Sequence, residues 1–344
     1  MRGTGFKVRK RHVTALATIT VLVTAAQPVA AHAAAGSGRS ATAGTQFPVT
    51  PESLFLDTRY SNGAWVAAPD SWTESNLLNV AQASITAMPD GDSQLVAVTT
   101  DGVLEHTIFK NSNYGWYTFA VPSQEPPARA VDSGIAGMPD GSSQVVEVTS
   151  AGVLEHTVRF ADGSWQSGWG IPAGSTGIAQ AAITALPNGS SQLVAVTTSG
   201  TLEHDIRFAN GSWQGWRTIA QPGVRVAYAS IAGMPNGSSQ ITEVTSAGVL
   251  EHTVRFADGS WQSGWGIPAG STGIAQAAIT GLPNGSSQLV AITTNGTLEH
   301  DIRFADGGWQ GWRDPQQIYT GTFTSPSIAG LPNGSSQLIE VSEG

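Results

Sequence analysis

The sequence predicts an all-β fold, a six-bladed β-propeller of four-stranded blades closed by pairing of its C-terminal and N-terminal strands. Three observations predict this fold. A Leu-Glu-His tripeptide returns at intervals of 48 to 50 residues, and a Pro-(Asp/Asn)-Gly turn followed by Ser-Gln occurs six times. The two chain ends, joined together, supply the one repeat that is otherwise incomplete.

The N-terminal segment has the features of a secretory signal peptide. Five cations precede residue 12, an apolar run covers residues 13–26, and small residues suited to cleavage follow at 31–35. The run has about 14 residues, fewer than the roughly 20 of a membrane-spanning helix. We therefore expect residues 1–35 to be a signal peptide, residues 36–50 to be a flexible linker, and the mature protein to be secreted without membrane insertion.

Charge and cysteine content exclude several classes of function. Without the five leader cations, 11 Lys and Arg face 25 Asp and Glu, a net charge of −14. Such a chain repels phosphate backbones, so we expect no nucleic-acid partner. The chain has no cysteine, which excludes disulfides, thiolate nucleophiles and cysteine-based zinc sites.

The repeats count to six only when both chain ends are combined. The tripeptides begin at Leu104, Leu154, Leu202, Leu250 and Leu298. The turn elements begin at Pro89, Pro139, Pro187, Pro235, Pro283 and Pro332. Residues 53–65 align without a gap with residues 153–165 and replace the missing sixth tripeptide. A composite blade from residues 325–344 and 51–78 therefore completes one domain over residues 51–344 and leaves no free sheet edge.

Each unit contains four short runs of β-prone residues. In one unit these runs are 181–186, 192–198, 201–208 and 212–218, and hairpin signals such as Asn210-Gly211 separate them. No segment shows helical periodicity. The fold is therefore predicted to contain strands only.

The hairpin signals also predict the register of facing residues. A two-residue turn at Ala151-Gly152 places Glu147 opposite His156. We therefore expect each histidine to satisfy a polar position inside a blade, helped by Glu147 and Glu243 in two units. The other face carries Arg159, which we expect to meet carboxylates of the neighbouring blade.

A second level of order pairs the units. The strand before the tripeptide carries a glutamate in three alternate units and an alanine in the others. These residues are Glu147, Glu243 and Glu340, and Ala97, Ala195 and Ala291. Residues 151–216 and 247–312 differ at only five positions. The repeating unit is thus a pair of blades, and binding sites are expected in threes.

The histidines of the mature chain all occupy one repeat position. They are His106, His156, His204, His252 and His300. A catalytic base is normally unique, so a structural role and a ligand-contacting role both stay open. Zinc needs several ligands that converge on one point, whereas histidines repeated around a ring are dispersed. We expect no metal and no other cofactor.

The sequence contains no recognisable catalytic motif. It has no Gly-x-Ser-x-Gly elbow, phosphate loop or His-Glu-x-x-His helix, and we predict that the protein is not an enzyme. The alternative is a secreted, glycosidase-like hydrolase with a single site at the ring centre, which requires an asymmetric carboxylate pair. Ala-Asp-Gly-Ser-Trp is weakly similar to the Asp-box of sialidases, but its spacing differs and no arginine triad is identifiable.

Aromatic residues near the blade edges are candidates for ligand binding. One tryptophan series, Trp165, Trp213, Trp261 and Trp309, follows the hairpin turn and is expected to pack between blades. A second series lies next to glycines and offers stacking surfaces for sugar rings. The candidate ligand-binding residues are Trp116, Trp169, Trp216, Trp265 and Trp312, with Glu155, Glu203, Glu251, Glu299, Arg159, Arg207, Arg255 and Arg303.

The repeat resembles that of the tectonin-like bacterial propeller lectins. The similar residues are Ser-Gln-Leu-Val-Ala-Val-Thr-Thr, then Gly, Leu-x-His and Gly-Ser-Trp-Gln-Gly-Trp, and they recur over residues 51–344. The resemblance implies a propeller that binds monosaccharides between adjacent blades. Where the family has a tryptophan before the histidine, this chain has glutamate in five units and Phe55 in the sixth.

The leader, the lysine-poor composition and the overall size are also similar to secreted sporulation factors of streptomycetes. This second resemblance implies an extracellular differentiation signal. Together these features predict a secreted, monomeric, non-catalytic recognition protein that binds a glycan or a cell-surface receptor. A purely protein-binding scaffold stays open as a third possibility.

Overall fold

The protein is built from β-strands, which confirms the predicted all-β class. The computed structural model describes residues 47–48, 53–67, 79–110, 115–117, 129–219, 221, 223–315 and 319–342. These residues form 23 strands and no helix, so none of them belongs to a helix that could cross a membrane. The expected signal peptide and nearly all of the expected linker lie outside the described residues.

The strands are short, and most follow one another through tight turns. Along the chain they are β1 (Phe47–Pro48), β2 (Leu54–Arg59), β3 (Trp65–Ala67), β4 (Val80–Ala87), β5 (Ser93–Thr99), β6 (Leu104–Lys110), β7 (Gly115–Trp116), β8 (Ala130–Gly137), β9 (Ser143–Thr149), β10 (Leu154–Arg159), β11 (Ile178–Ala185), β12 (Ser191–Thr197), β13 (Leu202–Arg207), β14 (Arg217–Thr218), β15 (Val226–Gly233), β16 (Ser239–Thr245), β17 (Leu250–Arg255), β18 (Ile274–Gly281), β19 (Ser287–Thr293), β20 (Leu298–Arg303), β21 (Tyr319–Thr320), β22 (Phe323–Gly330) and β23 (Ser336–Ser342).

Six antiparallel sheets of three or four strands contain all but two of these strands. We name them sheet I (β4-β5-β6-β7), sheet II (β8-β9-β10), sheet III (β11-β12-β13-β14), sheet IV (β15-β16-β17), sheet V (β18-β19-β20) and sheet VI (β22-β23-β2-β3). The remaining strands, β1 and β21, form a separate parallel pair. Single bridges such as His156 to Gly170 continue sheet II beyond its third strand.

Sheet VI joins the two ends of the chain. Strand β23 pairs with β22 on one side and with β2 on the other, where Leu54 faces Val341 and Arg59 faces Ser336. The Ser342 amide also donates to the Ser53 carbonyl over 2.9 Å. The alignment of the two chain ends predicts this pairing.

The first strands of the sheets surround a central cavity. Each contacts the next in the order β4, β8, β11, β15, β18 and β22, and β22 contacts β4. Side chains and backbone atoms also link neighbouring first strands, as where the Ala83 amide donates to Ser325 Oγ over 3.0 Å. The hydrophobic core is divided into six clusters, one between each pair of neighbouring sheets.

The hairpins between second and third strands differ from the prediction by one residue. Leu154 faces Val148 and Glu155 faces Glu147, so Glu147 does not face His156. The turn is a three-residue loop, in which the Thr149 amide donates to the Val153 carbonyl and Gly152 adopts a φ of +73°. Such a loop has glycine in the left-handed position and shifts the register by one residue relative to a two-residue turn. The next hairpin also has a three-residue loop, in which the Phe160 amide donates to the Ser164 carbonyl and Arg159 faces Trp165.

Candidate functional site

A polar network of three residues crosses five of the six interfaces between sheets, and at the interface of sheets VI and I, which has no histidine, Ser93 Oγ donates to Gln337 Oε1. In sheet III, Gln192 Oε1 lies 3.0 Å from Nε2 of His204 and accepts from Ser239 Oγ of sheet IV over 2.8 Å. The glutamines that bond a histidine in this way are Gln94, Gln144, Gln192, Gln240 and Gln288. Successive residues of a strand point to opposite faces, so each Ser-Gln dipeptide links its own sheet to both neighbours.

The histidines are therefore held by glutamine, and the expected partnership with Glu147 and Glu243 was wrong. Each imidazole is buried and meets a tryptophan of the next sheet edge to face, as His204 meets Trp261 with ring centroids 5.4 Å apart. Burial, together with the charge of an arginine across the interface, lowers the pKa of all five histidines to about 3. They are neutral at physiological pH.

We expect no imidazole of the mature protein to titrate between pH 5 and pH 8. A folded-state pKa below the unfolded value of about 6.5 means that these groups stabilise the fold above pH 6.5 and progressively less as the pH falls towards 3. The histidine ring signals in an NMR pH titration provide the measurement. A ring that titrates near pH 6.5 would contradict the buried network.

Sheets II to VI each carry one arginine at the C-terminal end of β10, β13, β17, β20 and β2, respectively. We call this end of each sheet the arginine end. These arginines are Arg59, Arg159, Arg207, Arg255 and Arg303, all half-buried, and sheet I has Phe109 instead. The expected carboxylate partners were wrong, because the one ion pair within the described residues joins Lys110 to Asp92. The aspartates of the adjacent turns act on Arg159, Arg255 and Arg303 only at longer range.

The opposite end of each interface, which we call the glutamate end, carries carboxyl groups. Glu243 is fully buried, faces sheet III and lies directly opposite Glu251, which accepts a short hydrogen bond from Gln221 Nε2. Burial and the neighbouring Glu251 raise the pKa of Glu243 to about 8. Glu147 is likewise fully buried opposite Glu155, and burial raises the pKa of Glu155.

The composite sheet contains a third carboxyl pair that the sequence did not reveal. Burial raises the pKa of Asp57 to about 7, and burial with the charge of Asp57 raises that of Glu340 well above its usual range. Sheets II, IV and VI thus carry one carboxyl pair each. The alternation of glutamate and alanine is the sequence signal for these pairs, although the erroneous register assigned their glutamates to histidines.

Two tryptophans of the second series, Trp216 and Trp312, lie at the glutamate end. Trp216 is half-buried, its Nε1 donates to Ser175 Oγ over 3.1 Å, and its ring lies beside Gly174, both on the loop that leaves sheet II. Trp312 repeats this contact with Ser271. Two residues after Trp216, in β14, Thr218 Oγ1 donates to Glu203 Oε1 over 2.8 Å. Ring, carboxylate and hydroxyl therefore lie on one face of sheet III, the face that is turned towards sheet II.

The remaining predicted tryptophans are distributed differently. Trp169 and Trp265 are half-buried and pack against the cores of the I/II and III/IV interfaces, and Trp169 Nε1 is buried without a partner. Trp116 lies in β7 opposite Phe109, and its side chain is outside the described part. The first series packs on the histidines.

The structure divides the predicted binding residues into two groups. Glu203 and Arg207 lie on one face of β13 but four residues apart, about 13 Å at the usual rise of a strand. One monosaccharide therefore cannot contact both the glutamates and the arginines of a sheet. Within the described ranges no three His, Asp or Glu side chains are grouped as a metal site would require.

Comparisons with known proteins find similar structures but no related sequence family. No family model and no curated protein matches the chain. A lectin from Burkholderia pseudomallei matches with a TM-score of 0.56 and 18% identity over 83% of this chain and 86% of that one. The fungal lectin of Aleuria aurantia, described as a six-bladed β-propeller with a novel fucose recognition mode, matches with a TM-score of 0.50 and 12% identity over 72% and 84%.

A microbial sialidase, Hz136, also matches, with a TM-score of 0.55 and 10% identity over 76% of this chain and 65% of that one. At these identities the likeness establishes the propeller fold alone. No finding supports the resemblance to sporulation factors.

Proposed function

We propose that the protein is a non-catalytic carbohydrate-binding protein whose sites are the clefts at the glutamate end of neighbouring sheets. The observation that carries this proposal is the placement of Trp216, Glu203 and Thr218 on one face of sheet III, next to the loop that leaves sheet II. A half-exposed indole stacks on the apolar face of a sugar, and a carboxylate with a hydroxyl orients its hydroxyl groups. The similarity of the fold to lectins supports the same class of ligand.

The proposal includes a six-bladed propeller in which each sheet is one blade. The cyclic contacts of the first strands and the composite sheet VI support this count. The recurrence of the cleft then makes the protein multivalent, and several weak sites gain strength on a surface that carries many copies of one sugar. A glycan on a cell surface is the partner that fits such an arrangement.

Secretion is part of the same proposal and rests on the leader sequence. The proposal also includes a monomeric state. N-terminal sequencing of protein from the culture medium tests secretion, with cleavage expected between residues 31 and 36. A role as an extracellular differentiation signal stays a prediction from composition.

Replacing Trp216 or Trp312 by alanine is expected to weaken sugar binding at least tenfold at the affected clefts, because the stacking surface is removed. A glycan array with the mature protein identifies the ligand, and titrations with that glycan compare the variants. Phe208→Ala is the matched control, since Phe208 is exposed at the arginine end. Unchanged binding by both tryptophan variants would contradict the proposed clefts.

The hydrolase alternative is favoured by one observation, the structural similarity to a sialidase. The central cavity has a volume of about 210 Å³, and none of the described residues lining it carries a carboxylate. Buried Asp132 lies next to it, where Oδ2 accepts from the Ala181 amide. Turnover of fluorogenic sialosides or glycosides that is lost in Asp132→Asn would replace the lectin proposal.

A further inference from the structure

A cavity between sheets V and VI opens at the arginine end, away from the proposed sugar clefts. Its volume is about 430 Å³, within the range of roughly 300–1,000 Å³ that is usual for small-molecule sites. Arg59 lines it from sheet VI, while Gln288 and Phe304 line it from sheet V. Phe304 is 44% exposed and offers an apolar surface at the cavity wall.

The Arg59 guanidinium carries a charge that no neighbouring carboxylate pairs with. No ion pair involves it among the residues that the structure describes, and burial lowers its pKa. The turn that follows contains Asn62, whereas Arg159, Arg255 and Arg303 are followed by aspartates. Across the cleft His300 is neutral, with a pKa of about 3, and on the same strand Asp57 is buried beside Glu340 with a pKa of about 7.

Gln288 supplies a second donor without a partner. Its side chain is fully buried, and its Oε1 is used by His300 at 3.1 Å and by Ser336 Oγ at 2.8 Å, but its Nε2 has no hydrogen-bond partner. In sheet IV the equivalent Gln240 Nε2 lies 3.4 Å from the sulfur of Met234. Sheet V has Leu282 at that position, so the amide has no acceptor there. A buried, unpaired donor destabilises the folded protein, and a ligand oxygen that accepts from it would remove that cost.

Within the described residues, only the V/VI cavity combines an arginine that has no carboxylate partner with a buried glutamine amide that has no acceptor. Gln192 of sheet III also has an unpaired Nε2, but the arginine across its interface is Arg255, on which the nearby Asp258 acts. Arg207 is followed by Asn210 in its turn, but it faces sheet II, where Gln144 Nε2 lies 3.3 Å from the sulfur of Met138.

We propose that this cavity binds an acidic sugar, with the oxyanion at Arg59 and Gln288 and the sugar ring against Phe304. The guanidinium presents parallel donors that fit a carboxylate or a sulfate, and the buried amide adds one more. The sugar part of this inference rests on the proposed function, whereas the anion part does not. One such site per chain is expected, at the seam where the chain ends meet.

The test titrates the mature protein, at low ionic strength, with glucuronic acid and galactose 6-sulfate and with glucose and galactose as neutral counterparts. Calorimetry is expected to show one equivalent of an acidic sugar, bound at least tenfold more tightly than its neutral counterpart. Arg59→Gln should abolish that preference, and Arg207→Gln should preserve it. Equal affinities for charged and neutral sugars, or an unchanged preference in Arg59→Gln, would overturn the proposal.

A second variant tests the amide without changing the charge. Leu282→Met provides the sulfur that satisfies the equivalent amide in sheets II and IV, so it is expected to weaken acidic-sugar binding several-fold while the melting temperature stays the same. An unchanged affinity in this variant would remove Gln288 from the site. Thermal melts of all variants separate loss of the site from loss of the fold.

The outcomes distinguish this site from the proposed clefts. Neutral sugars that bind in several equivalents, with no acidic preference, would refute the acidic site and leave the clefts. An acidic sugar bound through Arg59, with no effect of Trp216→Ala or Trp312→Ala on any glycan, would support the acidic site and refute the clefts. Inorganic sulfate that binds as tightly as galactose 6-sulfate would overturn the sugar part.

Discussion

A chain that lacks residues 336–344 is expected to lose cooperative folding. Those residues include β23, which pairs with both β22 and β2. Leu338, Ile339 and Val341 are at most 1% exposed and belong to the cores on both faces of sheet VI. Truncating one such side chain costs about 2–5 kcal/mol, and a typical domain has only about 5–15 kcal/mol of stability.

Circular dichroism melts and size-exclusion chromatography measure this effect. A shorter truncation that removes only Glu343 and Gly344 is the control and is expected to melt like the full chain. If the protein without residues 336–344 melted at the temperature of the intact protein, the joining of the chain ends through sheet VI would be contradicted.

Glu243→Gln is expected to stabilise the protein at alkaline pH and to leave its stability at pH 5 nearly unchanged. Glu243 keeps its proton in the folded state up to a pKa of about 8, whereas the unfolded value is about 4.5. The folded state therefore binds more protons between these values, and stability falls as the pH rises through that window. Glutamine keeps a permanent donor beside Glu251, so the gain at pH 8.5 should be on the order of 4 kcal/mol.

The five buried histidines do not disturb this comparison, because their protonation changes the stability of wild type and variant equally. Asp57 and Asp132, whose pKa values are raised to about 7 by burial, act equally in wild type and variant. Glu203→Gln is the matched control, since Glu203 lies opposite Ala195 and has no buried carboxyl partner across the strand. Denaturant unfolding at pH 5 and pH 8.5 gives the comparison, and an equal effect of Glu243→Gln at both values would contradict the raised pKa of Glu243.

The sequence predicted the strands and the composite sheet because these follow from periodic patterns. Hairpin glycines and alternating apolar residues act over short ranges and recur in every repeat. The two chain ends can be aligned with a complete repeat. The residue pairing across the hairpins was wrong because Ala151-Gly152 is compatible with a loop of two or three residues. Only the loop geometry around Gly152 distinguishes them, and a shift of one residue changes every facing pair.

The Ser-Gln dipeptide of each repeat contains the hydrogen-bond partner of the histidines, although in the sequence it indicates only the number of repeats. Ser-Gln follows every Pro-(Asp/Asn)-Gly turn, and the structure shows that Ser239 and Gln192 meet across one interface. Contacts of this kind join different sheets. A pattern within one repeat gives the face of the strand but not the neighbour that it meets.

In the candidate site, too, the repeat pattern did not show which residues lie close together. Trp216, Glu203 and Arg207 recur together in the repeat, which grouped them as one site, yet the strand length places Arg207 at the opposite end of its sheet from Glu203. The cavity at Arg59 depends on Gln288 and Leu282, which are more than 220 residues away in the chain. Its features arise only where the two chain ends meet in sheet VI.

The number of sugars bound per chain at saturation tests the central proposal most directly. Calorimetry of the mature protein with the glycan identified by the array should give at least two equivalents, because the arrangement at Trp216 recurs at Trp312. A single equivalent that survives both Trp216→Ala and Trp312→Ala would place binding elsewhere, and would contradict recognition through repeated clefts.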